Sequence, residues 1–324
     1  MKGLSKDFAT RHEVGEDAAG QRVDNYLTKL LKGVPKSHVY RILRSGEVRV
    51  NSGRVGPEYR LQPGDTLRIP PVRVAQRTQL ALPPAAGRLD AHILYEDEAL
   101  LVLNKPTGLA VHGGSGISHG AIEQLRHGRP PSGFLELVHR LDRDTSGVLL
   151  LAKKRSALTA LHEQLRSGRV QKFYLALVCG QWRNEKQSVK LALNKYVLAS
   201  GERRVSVGKD GDGMPSHTVF RLKQSWREFS LLEAELKTGR THQIRVHLAH
   251  LGYPIAGDDK YGDFAHNKTL AKQGLKRMFL HAYKVVIEHP RSGEETIFEA
   301  PLPEELRFFL KCLDDQNTSH AETL

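Results

Sequence analysis

Cysteine is scarce in this 324-residue chain: Cys179 and Cys312 are the only two, too few for a disulfide framework and without metal-ligand spacing. That excludes a small secreted scaffold stapled by bridges and suits a reducing cytoplasm. Long apolar runs are missing as well. No stretch approaches 18 uninterrupted apolar residues, and Met1-Lys2-Gly3-Leu4-Ser5-Lys6-Asp7 at the start has no apolar signal core, so neither a membrane span nor a secretory leader is expected. Internal repeats and low-complexity blocks are absent. Acidic charge is in deficit, with 36 Asp and Glu against 49 Lys and Arg and a net charge of +13. The deficit favours a polyanionic partner.

The length suggests two domains. The first 17 or so residues and those from Asp314 onward are polar and aperiodic, so segments 1–20 and 314–324 are expected to be flexible ends. Within 21–70, Val23, Tyr26, Leu27, Leu30, Leu31 and Val34 recur at helical spacing. Pro35 and Ser37 open a second helix whose inward stripe is Val39, Ile42 and Leu43, which sends Lys36, Arg41 and Arg44 outward before Gly46 ends it. Val48 and Val50 alternate with Arg49 as a strand, and Thr66 to Ile69 returns as its partner. From Arg22 to Arg54 eight basic residues face two acids, Asp24 and Glu47. Pro-rich 71–87 is read as a linker.

The segment 88–313 is rich in short strands: Ile93 to Tyr95, Leu100 to Leu103, Val148 to Ala152, Phe173 to Val178, Phe229 to Leu236 and Lys284 to Glu288. Ser156 is placed as the N-cap of a helix with Leu158, Leu161 and Leu165 inward and Gly168 beyond its end. A further helix is expected to begin near Gly116 to Gly120. Hairpins mixed with helices imply an α+β domain with a mixed sheet.

The most informative stretch is Val138-His139-Arg140-Leu141-Asp142-Arg143-Asp144-Thr145-Ser146-Gly147. A short apolar strand (Phe134, Leu135, Leu137, Val138) precedes it and a fully buried one (Val148 to Ala152) follows. A carboxylate on a loop so anchored is placed more accurately than one on a free loop, which chemistry at a single atom requires. Asp142 is the candidate. The plainer readings are a turn capped by Asp142 or Asp144 and a weak surface pair of Arg140 with Asp142.

Arg140-Leu141-Asp142 followed after two positions by Thr145-Ser146-Gly147 resembles the signature of the RluA family of RNA pseudouridine synthases. Lys172-Phe173-Tyr174, then Lys237-Thr238-Gly239-Arg240-Thr241-His242-Gln243-Ile244-Arg245-Val246-His247, then Gly252 to Gly262 follow in the family's order. Residues 21–70, with Gly46-Glu47-Val48-Arg49-Val50-Asn51, resemble an S4 RNA-binding domain. The likeness implies a large, bent, mainly antiparallel sheet flanked by helices, the active cleft across its middle, preceded by a small S4-like α/β domain. It implies isomerisation of uridine to pseudouridine, closest to family members that act on large-subunit ribosomal RNA. Asp142 is then the essential carboxylate, Arg245 its ion-pair partner, and Tyr174 the ring that packs on the flipped base. Arg140, Lys172 and Leu280 are implied substrate contacts, and Lys36, Arg41, Arg44 and Arg49 RNA contacts. An ionised acid in a dry pocket needs such a cation, because desolvation alone favours its neutral form.

The reaction breaks the C1′–N1 bond and rejoins the base through C5, so no small-molecule cofactor, metal or membrane is expected, and the chain is taken as a monomer acting on ribosomal RNA. Asn104-Lys105-Pro106 and Gly113 to Gly116 match neither a P-loop nor a dinucleotide fingerprint and are read as turns. His242, His247 and His250 invite a metal reading, but on a strand residues five apart face opposite sides and no carboxylate or cysteine completes a set. His139 is read as structural. Competing readings are a non-catalytic RNA-binding or ribosome-assembly factor on a synthase scaffold, a synthase of the same family with other ribosomal or transfer RNA sites, and RNA hydrolysis by Asp142 with a histidine.

Overall fold

The apolar spacing that starts at Val23 does build a helix, and the units around it follow from where apolar faces must be covered. A computed structural model describes residues 8–31, 33–72, 89–113, 119–127, 129 and 133–321. The chain divides into two units, 1–83 and 84–324.

The first unit runs β1 (Thr10–Glu13), α1 (Val23–Leu30), α2 (Lys36–Arg44), β2 (Arg49–Val50), β3 (Gly53–Arg54) and β4 (Thr66–Ile69). Its sheet has the order β1-β4-β2-β3, with each neighbouring pair antiparallel. Val23, Leu27, Val39, Ile42 and Leu43 from the helices pack with Val50, Leu67 and Ile69 from one side of the sheet. Period-2 alternation therefore turns Arg49 and Arg68 to the other side. Strand β1 corrects the expectation of a flexible N-terminus. Thr-Arg-His-Glu has no apolar alternation to announce a strand, and backbone bonding to the edge of β4 supplies its order instead.

The second unit contains β5 (Ile93–Glu96), β6 (Leu100–Lys105), α3 (Ala121–His127), β7 (Glu136–Leu137), β8 (Ser146–Ala152), α4 (Arg155–Arg166), β9 (Gln171–Cys179), β10 (Lys186–Val197), β11 (Arg203–Val207) and β12 (Met214–Ser225). It continues through β13 (Phe229–Leu236), α5 (Gln243–His250), α6 (Phe264–Lys272), β14 (Leu280–Glu288), β15 (Glu295–Glu299) and α7 (Glu304–Ala321). Eleven strands join in one sheet, ordered β11-β10-β12-β13-β9-β14-β8-β6-β5, with β15 on β14 and β7 on β8. Only β14 and β8 run parallel among the described pairs, so the sheet is mixed and mainly antiparallel. Every residue of β8 is buried. Leu149 and Leu151 enter one core while Val148, Leu150 and Ala152 enter a second on the opposite face, which explains the unbroken apolar run.

Three local expectations differ from the structure. Helix α4 begins at Arg155, and its N-cap is Lys154 with no side-chain cap bond, so Ser156 is a first-turn residue rather than the cap. The helix expected near Gly116 to Gly120 begins at Ala121, and residues 114–118 lie outside the described residues, as does most of the proposed linker. The tail from Asp314 continues α7 to Ala321. No helix breaker interrupts it, and Asp314 accepts bonds from Gln224 and, at 2.9 Å, from Trp226 Nε1.

Candidate active site on the central strands

Asp142 sits in the turn between β7 and β8, where the Thr145 amide donates to its carbonyl at 3.2 Å. The loop is pinned from beneath by Lys105, which is 0% exposed. The Lys105 ammonium donates to the carbonyls of Pro106 (2.8 Å), Leu109 (2.7 Å) and Arg143 (3.0 Å), using all three of its protons. Burial works against that charge and pushes its pKa down to about 7. Thr107 Oγ1 adds a bond to the Asp144 carbonyl at 2.9 Å. Immediately downstream, Gly147 has φ +113°, and a Cβ there would stand 2.1 Å from the Ala282 carbonyl oxygen. Only glycine lets β8 come this close to β14.

Arg245 reaches the same place from α5, a short helix buried on nearly every side. Its Nε and Nη2 donate to the two carboxylate oxygens of Asp258, both at 2.7 Å, and its Nη1 donates to Asp142 Oδ2 at 3.3 Å. The Arg245 and Asp258 side chains are 2% and 0% exposed. Burial opposes both charges; the mutual bonds overcome it, holding the guanidinium above and the Asp258 carboxyl below their ordinary pKa values. Tyr261 lies under the guanidinium, 5.1 Å from carbon to ring centre.

Tyr174 is buried at the middle of β9, its pKa raised by desolvation and then by the charge of Asp142, so its phenol stays protonated. Lys172 projects on the same face two residues earlier, its pKa lowered by burial. Leu280 opens β14 and is buried. With the exposed Arg140, these side chains and those of Asp142 and Arg245 line one cavity of about 330 Å³. All six candidate residues of the catalytic region thus meet at one opening, over neighbouring strands at the centre of the sheet.

Residues of α5 correct the strand assumed for the histidines. Ile244-Arg245-Val246-His247-Leu248 alternates as a strand would, but a helix buried all round has no amphipathic stripe to betray it. His247 is fully buried and shares a 2.7 Å bond between its Nε2 and Ser216 Oγ. Among the described residues no three His, Cys, Asp or Glu side chains form a metal-ligating group. His139 accepts the Leu150 amide at 3.2 Å, and burial pushes its pKa down to about 4.

Three contributors carry no sequence signal that singles them out. Asp258 lies in the run Gly257-Asp258-Asp259, but nothing local ties it to an arginine thirteen residues earlier. His242 holds a left-handed backbone (φ 53°). Its Nε2 stands 3.8 Å from Asp142 Oδ2, its Nδ1 lies 2.8 Å from the Tyr261 hydroxyl, and burial lowers its pKa. Lys105 has, by its neighbours in sequence, only the look of a turn residue.

In the first unit Lys36, Arg41 and Arg44 are exposed on α2, with Arg41 3.3 Å from Glu47. Arg49 parts from them. It stands on the outer side of the sheet, opposite its buried neighbour Val50.

Residues 99–250 match the RNA pseudouridylate synthase family, and residues 21–67 match the S4 domain. The chain is 54% identical to the ribosomal large subunit pseudouridine synthase C of Pasteurella multocida (strain Pm70), over 95% of this chain and 94% of that one. It is 56% identical to the protein of the same name from Escherichia coli (strain K12), over 92% and 93%. Among solved structures, human RNA pseudouridylate synthase domain containing 4 superposes with a TM-score of 0.58 at 26% identity, over 71% of this chain and 95% of that one.

Proposed function

The chain belongs to the RNA pseudouridylate synthase family, and on that premise we propose that it converts specific uridines of large-subunit ribosomal RNA to pseudouridine. The observation that carries this reading is the Asp142 carboxylate, 3.3 Å from a buried guanidinium and facing a cavity lined by Tyr174. The ribosomal target draws its support from the names of relatives that align over nine-tenths of the chain.

A uridine in folded RNA must leave its stack before C1′ is accessible, at a cost of a few kcal/mol. Tyr174 offers a flat, uncharged ring to the extruded uracil and Leu280 an apolar contact on its other side. Arg140 takes the gap left by the base or a neighbouring phosphate, and Lys172 supports the pocket. Asp142, with the Arg245 guanidinium 3.3 Å from its carboxylate, acts as nucleophile at C1′ or as base. The C1′–N1 bond breaks, the freed uracil turns, and C1′ bonds to C5, which then gives up its proton to a base while N1 takes up a proton. Reactant and product are isomers, so the reaction consumes no cofactor; we take the chain to act as a cytoplasmic monomer. Lys36, Arg41, Arg44 and Arg49 add phosphate contacts that position the catalytic unit.

The test is tritium release from C5-labelled uridine in large-subunit ribosomal RNA, with strand length followed in parallel. Release by the wild type and none by Asp142→Ala is expected. Shortened strands would point to hydrolysis, binding without release to an assembly factor, and release from transfer RNA alone to another target within the family.

A further inference from the structure

The sheet of the first unit carries an arrangement that packing does not explain. Arg11 of β1 is paired with Arg68 of β4, Arg68 with Arg49 of β2, and Arg49 with Arg54 of β3. Directly paired residues project from the same face, so four arginines form one row across all four strands. All four are exposed. Strand spacings of about 4.8 Å stretch the row over roughly 14 Å.

Like charges placed opposite one another weaken a sheet, and here three successive pairs do so. Among the described residues none of the four guanidinium groups forms an ion pair with a carboxylate of the chain. Glu13 is the one acid on that face of the strands, at the end of β1 opposite Thr66. Arg49 spends two donors on the carbonyls of Gly46 and Ser52, and Arg68 one on that of Glu47. Arg11, Arg49 and Arg68 also line a concavity with Asn51, Ser52 and Thr66. Its floor is rigid. Asn51 and Ser52 turn the β2–β3 hairpin at φ 49° and 69°, the two-residue left-handed turn that matches strand twist. Asn51 is locked by a 2.7 Å bond to Asp65 and a 2.9 Å bond from the Thr66 amide.

We infer that this arginine row is a second RNA-backbone surface of the first unit, on the side of the sheet turned away from α2. Arg11 and Arg68 fall outside the residues that match the S4 domain, so the row extends recognition beyond that motif. The partner is an RNA phosphate backbone rather than a protein surface. The outward strand positions are arginine, Glu13 and Thr66, with no apolar or aromatic anchor of the kind protein interfaces place at their centre, whereas phosphate contacts need only fixed cationic donors. The inference rests on RNA being the substrate and adds a contact surface to that reading.

The experiment uses the full chain and a fragment of large-subunit ribosomal RNA, measuring the dissociation constant from low to moderate salt. Removing one cation from its phosphate shallows the plot of log affinity against log salt by about 0.7 to 0.9. Arg11→Gln with Arg68→Gln is expected to shallow it by roughly 1 to 2 and weaken low-salt binding about tenfold. Thermal stability should hold or rise, because repulsion is relieved. Arg11→Lys with Arg68→Lys should keep the slope. Single-turnover tritium release at saturating enzyme should stay at the wild-type rate, which separates binding from catalysis. An unchanged slope in the glutamine variant, while Lys36→Gln with Arg41→Gln and Arg44→Gln does shallow it, would overturn the inference and leave the proposed function standing. A wild type that neither binds the RNA nor releases tritium would sink both.

Discussion

Arg245 gives two bonds of 2.7 Å to Asp258 and a longer one of 3.3 Å to Asp142. The guanidinium is therefore oriented by an acid that does not face the cavity, and presents its remaining nitrogen to the acid that does. A bidentate pair fixes the plane of the arginine as well as its position. Asp142 meets a cation already in place, at no cost in ordering a flexible side chain when substrate arrives.

Removing Asp258 should harm both fold and chemistry. Asp258→Asn keeps the volume but leaves a buried guanidinium without its main counter-charge, which costs about 3–5 kcal/mol. Urea denaturation should show that loss, and tritium release should fall by roughly tenfold or more as Arg245 loses its orientation. Wild-type stability and turnover together would refute the positioning role.

Asp142 and Arg245 should separate in a thermal melt. Asp142→Asn is expected to keep a near wild-type Tm, since Arg245 retains Asp258 and the Asp142 side chain is already 19% exposed. Its tritium release should drop by about a thousandfold. Arg245→Met strands the fully buried Asp258 and should melt well below wild type. Equal Tm values for the two variants would contradict this division of labour.

Lys105 should prove structural yet necessary. Lys105→Met leaves the carbonyls of Pro106, Leu109 and Arg143 without their shared donor, a loss of about 3 kcal/mol or more. Hydrogen exchange should quicken in the loop carrying Asp142, and activity should decline with it. Unchanged exchange there would show that the loop does not depend on this lysine.

Acid should unfold the second unit partly through His247 and His281, both fully buried. Burial pushes each pKa down from 6.5 to about 4. His281 Nε2 donates to the Ala300 carbonyl, so its Nδ1 accepts from Ser146 and has no room for a proton. Between pH 6.5 and 4 the unfolded chain binds protons that the folded chain refuses, so stability falls as pH falls. Each group contributes up to about 1.4 kcal/mol per pH unit in that window. His281→Gln should flatten the slope of denaturant stability against pH there; an unaltered slope would dismiss His281 as a source.

Elements whose identity is set by relations along the chain are legible in the amino-acid order. Helices α1 and α2 show their inward stripes, β8 shows its double-sided burial as an unbroken apolar run, and the Asp142 loop stands out as charge between two buried segments. Strands β10 and β12 are not legible, because their exposed, polar-rich faces dilute the alternation and partner strands supply the order. Helix α5 reads as a strand, since its residues are buried regardless of face and their alternation carries no period of 3.6.

By itself, then, the sequence determined a basic two-helix module, a strand-rich domain and the loop that carries the candidate carboxylate Asp142. Periodicity and turn chemistry are local, and each residue carries them wherever the chain goes. Only the tertiary structure decided that Asp258 holds Arg245, that Lys105 fastens the loop from below, and that four arginines on four strands stand in one row. Those relations depend on strand register and on which buried charge finds which partner, and both are settled by the free energy of the assembled core.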